Sequence, residues 1–265
     1  MVFQPFQTAT FDSLQTRLDR QFGAAGTLRV VYTWSKAINW TDGAGGTLLW
    51  NDPAVMSRNR AAASYDRTHV FRGAWALELP FGAGKKLVSE AGAARAILGG
   101  WQVNGIFSSY TGTPITITAA GASLNAPGQT QTADQVKPAV EKLGGIGLNV
   151  PFYDPMAFAS VTQVRYGNSG RNILRGPGVV NLDFGLARNF SLSERFKLQF
   201  RAEAFNLTNT PHFGNPATNV SNVRFRPDGT IADLGNFMSI TSASSIANSV
   251  DGGERQIRFA LRLNF

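Results

Sequence analysis

Hydrophobic and polar residues alternate one by one in seven separate stretches of this chain. The last is the clearest: Ile257, Phe259, Leu261, Leu263 and Phe265 share one face, against Gln256, Arg258, Ala260, Arg262 and Asn264. Before it, Phe196, Leu198, Phe200, Ala202 and Ala204 oppose Arg195, Lys197, Gln199, Arg201 and Glu203. Four earlier stretches follow the same rule less cleanly. They are centred on Leu14, Leu18 and Phe22, on Leu28 to Trp34, on Phe71 to Leu79, and on Trp101 to Phe107. A further one sets Val180, Leu182, Phe184 and Leu186 against Asn181, Asp183, Ala187 and Asn189. A period of two puts successive side chains on opposite sides of an extended backbone, whereas a helix would smear the pattern round its circumference. Seven β-strands are therefore predicted.

The connections alternate as well. Residues 23–26 (GAAG) and 191–194 (SLSE) read as tight turns, and 80–99 is of middling length. Longer polar stretches at about 39–66, 111–177 and 207–253 fall between them, with turn chemistry such as Pro227-Asp228-Gly229. Short connections on one side and long loops on the other are the habit of outer-membrane barrels, with turns in the periplasm and loops outside. With Phe265 at the periplasmic rim, counting back places every long stretch outside. A strand of about 10 residues tilted by about 45° also rises far enough to cross an apolar band about 25 Å tall. Trp34, Trp101, Phe22 and Phe190 stand near strand ends, where aromatic girdles are expected. The fold class expected is all-β: an antiparallel up-and-down transmembrane β-barrel, represented by about seven C-terminal strands of a larger one. A water-soluble β-sandwich also alternates, but long strands with mid-strand Arg and Glu on the polar face argue against it.

Composition narrows the classes further. Only 16% of residues are charged, Gly (28) and Phe (19) are abundant, and cysteine is absent, which excludes disulfides and thiolate metal sites. The formal net charge of +8 comes from Arg residues scattered singly, so no nucleic-acid surface is expected. The longest uncharged stretch, 96–133, is too rich in Gly, Thr, Ser, Asn and Pro to be a transmembrane helix. Residues 1–12 lack the features of a secretory signal peptide. With too few strands to close a large barrel, this leads to the expectation that residues 1–265 are part of a longer protein.

No catalytic constellation can be assembled, so no enzyme, cofactor or metal site is expected. His69 and His212 stand apart without further metal-ligand spacing and read as loop hydrogen-bonders. FGAGKK (81–86) lacks the spacing of a phosphate loop and reads as a turn. The charges of the polar face are the better candidates: Arg195, Lys197, Arg201 and Glu203 on one strand, with Arg258 and Arg262 on the next, are expected to line a polar lumen. A solvated wall with cross-strand ion pairs is the simpler reading of them. In the loop 111–177, Tyr153, Tyr166 and Arg171 are candidates for ligand capture, because long loops commonly carry function.

Seven blocks in order carry a family likeness: VYTWSKAIN (31–39), YDRTHVFRGAWALELPFG (65–82), GGWQVNGIFSSYTGTPITI (99–117), FYDPMAF (152–158), RGPGVVNLDFGLARNF (175–190), FRAEAFNLTNTPHFGNP (200–216) and ERQIRFALRLNF (254–265). From about Phe11 to Phe265 the chain resembles the C-terminal barrel region of TonB-dependent outer-membrane receptors. The likeness is to the Oar-like group, whose N-terminus carries a carboxypeptidase-regulatory-like domain. The resemblance implies a barrel of about 22 strands with a plugged lumen. It also implies coupling to an energy-transducing inner-membrane complex through a plug region that this chain does not contain. Phe265, with apolar residues at alternate positions before it, is similar to the signal read by the barrel assembly machinery. The partners implied are outer-membrane lipid, that machinery and an imported solute of unknown kind. Three functions stay open: import of a large solute, a surface or adhesion-type barrel with no import role, and a soluble β-sandwich binding module.

Overall fold

The computed structural model describes residues 7–42, 48–85, 87, 92–124, 130–243 and 253–265. All seven predicted strands are present: β1 (Thr10–Gln21), β2 (Gly26–Asn39), β3 (His69–Glu78), β4 (Trp101–Tyr110), β5 (Val179–Ser191), β6 (Lys197–Phe205) and β7 (Gln256–Asn264). They form one sheet in chain order, every neighbouring pair antiparallel, which is an up-and-down meander. The two-residue strand Ala61–Ala62 adds to the end of β2. The sheet does not close on itself: β1 and β7 are its edges.

Register makes the two faces continuous across all seven strands. In one row, Leu28 pairs with Trp75, Trp75 with Gly105, Gly105 with Phe184, Phe184 with Ala204, and Ala204 with Ile257. The next row over carries Asp19, Arg29, Ala74, Ile106 and Asp183 on the opposite face. A slip of one residue in any pair would exchange the faces, so the alternation fixes the register. On the apolar face Trp75 lies across Gly105, where an added Cβ would come 2.3 Å from the indole. Aromatic contacts continue sideways from Trp101 to Phe200 (6.0 Å) and from Phe200 to Phe259 (6.4 Å).

This sheet is a single layer. No second sheet covers its apolar face within the described residues, and Phe259 stays 72% exposed and Leu261 70%. The β-sandwich alternative is therefore set aside, because a sandwich buries that face against its partner sheet.

The connections separate by length. Two tight turns and one connection of middling length close the turn end of the sheet, and three long ones gather at the loop end. At the first turn, Phe22 N–H donates to Gly26 O (2.8 Å) and Ala25 N–H to Phe22 O (3.0 Å). Gly26, at φ 130°, lies so close to β3 that a Cβ there would meet the Ala76 carbonyl at 2.0 Å. At the third, Leu192 and Ser193 both donate to Phe196 O, so Arg195 and Phe196 belong to the turn and β6 begins at Lys197. The middle connection carries a short helix, α1 (Ala93–Leu98), which sequence alternation does not reveal. The described part of FGAGKK forms a turn, with Lys85 N–H on Gly82 O.

The long connections are not the plain polar loops that the sequence suggests. They pack into a cap with its own core: Ile115, Ile117, Phe152 and Phe158 from the β4–β5 loop meet Val220, Phe237, Met238 and Ile240 from the β6–β7 loop. Short strand pairs hold it: 114–115 with 174–175, 134–135 with 158–159, and the five residues 147–151 with 239–240. Phe152 N–H donates to Met238 O across the two loops (2.8 Å).

Candidate functional site

The polar face begins at its β1 side with an ion cluster. Asp19 lies directly opposite Arg29 in register and accepts from its Nε (2.6 Å), and from Arg17 two residues before it. Beside it the small side chains Ala74 and Ala76, with Asn104, floor a groove of about 800 Å³. At the β7 side, Lys197, Arg201 and Glu203 face Asn264, Ala260 and Arg258 across the ladder, with Arg262 opposite Gln199. The predicted wall charges thus share one face, with one correction: Arg195 is in the turn, exposed, and not on the wall. The ion pairs expected across this strand pair are absent as well. Among the described residues no carboxylate is within salt-bridge reach of Lys197, Arg201, Arg258 or Arg262. Arg258 stacks on the Phe205 ring (5.0 Å) and donates to Gln256 Oε1 (3.1 Å). The β6–β7 end of the wall therefore carries four cations and the one carboxylate of Glu203, a net positive charge without close ion pairs.

The loop candidates divide. Tyr153 and Arg171 are 8% and 7% exposed and hold the cap together. Tyr153 packs edge-on to Phe152 and donates its hydroxyl to Arg175 O (2.7 Å), and burial raises its phenol above the ordinary value. Arg171 reaches from the β4–β5 loop to the end of β2. Its Nη2 donates to Asn39 O (2.9 Å) and to Asn39 Oδ1, and its Nη1 to Asp42 Oδ2 (3.0 Å). Burial pulls the guanidinium below its usual pKa while Asp42 pushes back. Burial pushes Asp42 itself up, but hydrogen bonds from Ser64 and Asn39 outweigh it and leave the carboxyl below its usual range. Arg171 also forms part of a pocket of about 390 Å³ with Trp40, Asp42, Ser64, Thr116 and Asn172.

Tyr166 is half-buried, the candidate of the three that is not enclosed in the cap. It borders a pocket of about 470 Å³ with Asp52, Arg58, Val164 and Arg165. Burial first and the Asp52 carboxylate second raise its phenol pKa. The neighbouring Arg165 forms a two-bond fork on Asp134, Nη1 at 2.9 Å and Nη2 at 2.6 Å, which holds that carboxyl below its usual range.

Sequence reading missed Asp134, Arg165, Asp66 and Arg175, because each pair joins residues far apart in the chain. Arg175 donates to Asp66 Oδ2 across 109 positions and ties the β2–β3 loop to the β4–β5 loop. A usable signal existed in the apolar runs of PITI (114–117) and FYDPMAF (152–158), which are too hydrophobic for solvated loops. The two histidines sit as hydrogen-bonders. His69 Nδ1 is 2.8 Å from Tyr32 Oη, and His212 Nε2 donates to Val180 O at 2.9 Å, since a carbonyl can only accept. Phe265 follows β7 at the turn end and is 92% exposed. No helix among the described residues is long and apolar enough to cross a membrane, which says nothing of strands.

A family model for an outer membrane beta barrel domain matches residues 2–258. No curated protein and no solved structure matches the chain. The match covers nearly all of a meander with one continuous apolar face, turns at one end and long loops at the other. The chain belongs to the outer membrane β-barrel domain family, and its place is the outer membrane.

Proposed function

We propose that this chain supplies the C-terminal strands and outer loops of an energy-coupled receptor of the TonB-dependent kind, which imports a large solute. The observation that carries the reading is the cap. Two loops from one end of the sheet fold round a shared core, with the third pinned to them by Arg171 and Arg175, above a polar wall whose β6–β7 side carries a net positive charge. A simple pore needs only short solvated loops, whereas a folded cap offers fixed pockets such as the one beside Tyr166. In this reading the loop end faces outward and the turn end, with Phe265, faces the periplasm. Phe265 serves the barrel assembly machinery, and energy reaches the wall through a plug region outside this chain. Oligosaccharides, peptides and metal chelates are the solute classes such a receptor handles.

A surface-binding barrel without import is the second reading, favoured by exposed apolar side chains on the cap: Tyr65, Leu148 and Val164. Deleting the gene in its host separates the two. Growth is compared on limiting maltodextrin, limiting casein peptides and limiting ferric siderophore, with and without a protonophore. Loss of growth on one source, restored by the gene and abolished by the protonophore, supports import. Unimpaired growth on all three together with lost surface attachment supports the second reading.

A further inference from the structure

Two strand arginines stand on the apolar face, Arg20 opposite Leu28 and Arg188, both near the turn end, and Arg188 is the one bound to α1. Arg188 pairs in register with Trp101 on the apolar side of the sheet, in the row before Leu186 and Val103, three residues from the turn end of β5. Its guanidinium lies between two rings, 5.4 Å from Trp101 and 4.4 Å from Phe190. Both terminal nitrogens donate to the end of α1: Nη1 to Ile97 O (2.7 Å) and Nη2 to Ala96 O. The Trp101 indole N–H donates to Ile97 O as well (2.9 Å). The last carbonyls of a helix have no partner within it. Here two side chains of the apolar face supply them, so α1 is folded back against the outer side of the wall. Its approach depends on a pinch between the two limbs of its connection. Gly82 and Gly99 are close enough that a Cβ on either would stand 3.0 Å from the other's Cα. Held this way, α1 leaves Ile97 65% and Leu98 45% exposed, beside the aromatic run from Trp101 to Phe200.

We infer that α1 is an interfacial foot, lying on the lipid side of the wall at its turn end, with Ile97 and Leu98 set among the acyl chains of that leaflet. The occupant is membrane lipid because the exposed residues continue the apolar face, the surface the barrel already presents to lipid. The depth agrees. A charge on a lipid-facing position is costly at mid-membrane and well tolerated near the headgroups, and Arg188 stands at the end of its strand. Its long stem covers apolar surface while its charge is satisfied by carbonyls. The foot thus explains an arginine that the alternation alone leaves out of place. It rests on the apolar face meeting lipid, and not on which solute the receptor carries.

The absence of cysteine makes a clean test possible. Single cysteines at Ile97, Leu98, Leu261 and Glu194 carry a nitroxide label on the full chain in outer-membrane vesicles, and collision with oxygen is compared with collision with a nickel chelate. Leu261→Cys is the lipid reference and Glu194→Cys, in the β5–β6 turn, the aqueous one. Ile97→Cys and Leu98→Cys are expected to favour oxygen, on the side of Leu261→Cys. Adding Arg188→Ala should shift the 97 label toward the aqueous reference and leave the 261 label unchanged. Nickel-accessible labels at 97 and 98 with a lipid reading at 261 overturn the foot alone. Exclusion of both reagents places protein, not lipid, on the helix and also overturns it. Aqueous readings at all three remove the wall from lipid, and the foot with it.

Discussion

The wall and the cap solve the same problem in opposite ways. In the wall, apolar side chains such as Phe259 are 72% exposed to whatever surrounds the sheet. In the cap, Ile117 and Phe237 are 0% exposed, enclosed by chain from two loops. The wall satisfies its backbone through long antiparallel ladders and leaves its apolar burial to the bilayer. Among the described residues the cap has only short ladders and so depends on a water-excluding core and on side chains that bridge loops, such as Arg171 and Arg175. Stability in one region is therefore a matter of lipid, and in the other a matter of packing.

The largest separation of the two should come from the cap core. Phe237→Ala removes a fully enclosed ring and is expected to cost about 3–5 kcal/mol locally. The cap should then become sensitive to protease added to intact cells, with cleavage in 111–178 and 207–243, while the far-ultraviolet β signal of the purified barrel persists. Loss of both signals together would show that wall and cap fold as one unit.

A smaller effect should follow in the wall, and it depends on the face. Phe184→Arg, midway along β5 on the apolar side, is expected to lower stability by about 2–4 kcal/mol. Ala187→Arg, on the polar face of the same strand, should change it little. Urea unfolding in lipid vesicles reads both. Equal effects would mean that lipid does not distinguish the faces.

The smallest effect is acid loosening of the cap alone. The Asp42 and Asp134 carboxyls are held below their ordinary value of 3.8, Asp42 despite its burial and Asp134 chiefly by Arg165. A depressed carboxyl contributes stability above that value and loses it as pH falls through the folded one. Protection of the 130–170 amides, measured against their intrinsic exchange rates at each pH, should therefore fall below pH 3.8 while the strands stay protected. Equal protection factors at pH 5 and pH 3 would show that neither carboxyl supports the cap.

The wall was legible in the sequence because nine or more residues in extended form repeat their period several times, and burial on one side enforces it. The cap was not. Its strands, such as 114–115 and 174–175, end before a period can repeat. Its pins join distant positions: Arg171 and Asn39 stand 132 apart, and no local pattern announces them. Tyr153 and Arg171 looked like capture residues because they stand in the longest loop, and long loops commonly carry function. In the folded cap both are occupied in binding loop to loop, and Tyr166 is only half-buried. Arg195 and α1 failed for a related reason, since alternation does not mark where a turn begins or that one folds back on its own strands.

The direction of the edge strands has a consequence for assembly. With every neighbour antiparallel across seven strands, β1 and β7 run the same way, from loop end to turn end. A ring made only from copies of this sheet must set β7 of one copy beside β1 of the next as a parallel seam. The alternative is to flip one copy, which puts the two caps on opposite sides of the membrane. Antiparallel closure with all caps on one side requires an odd number of added strands, so the edges themselves discriminate against self-association and select what can complete the ring.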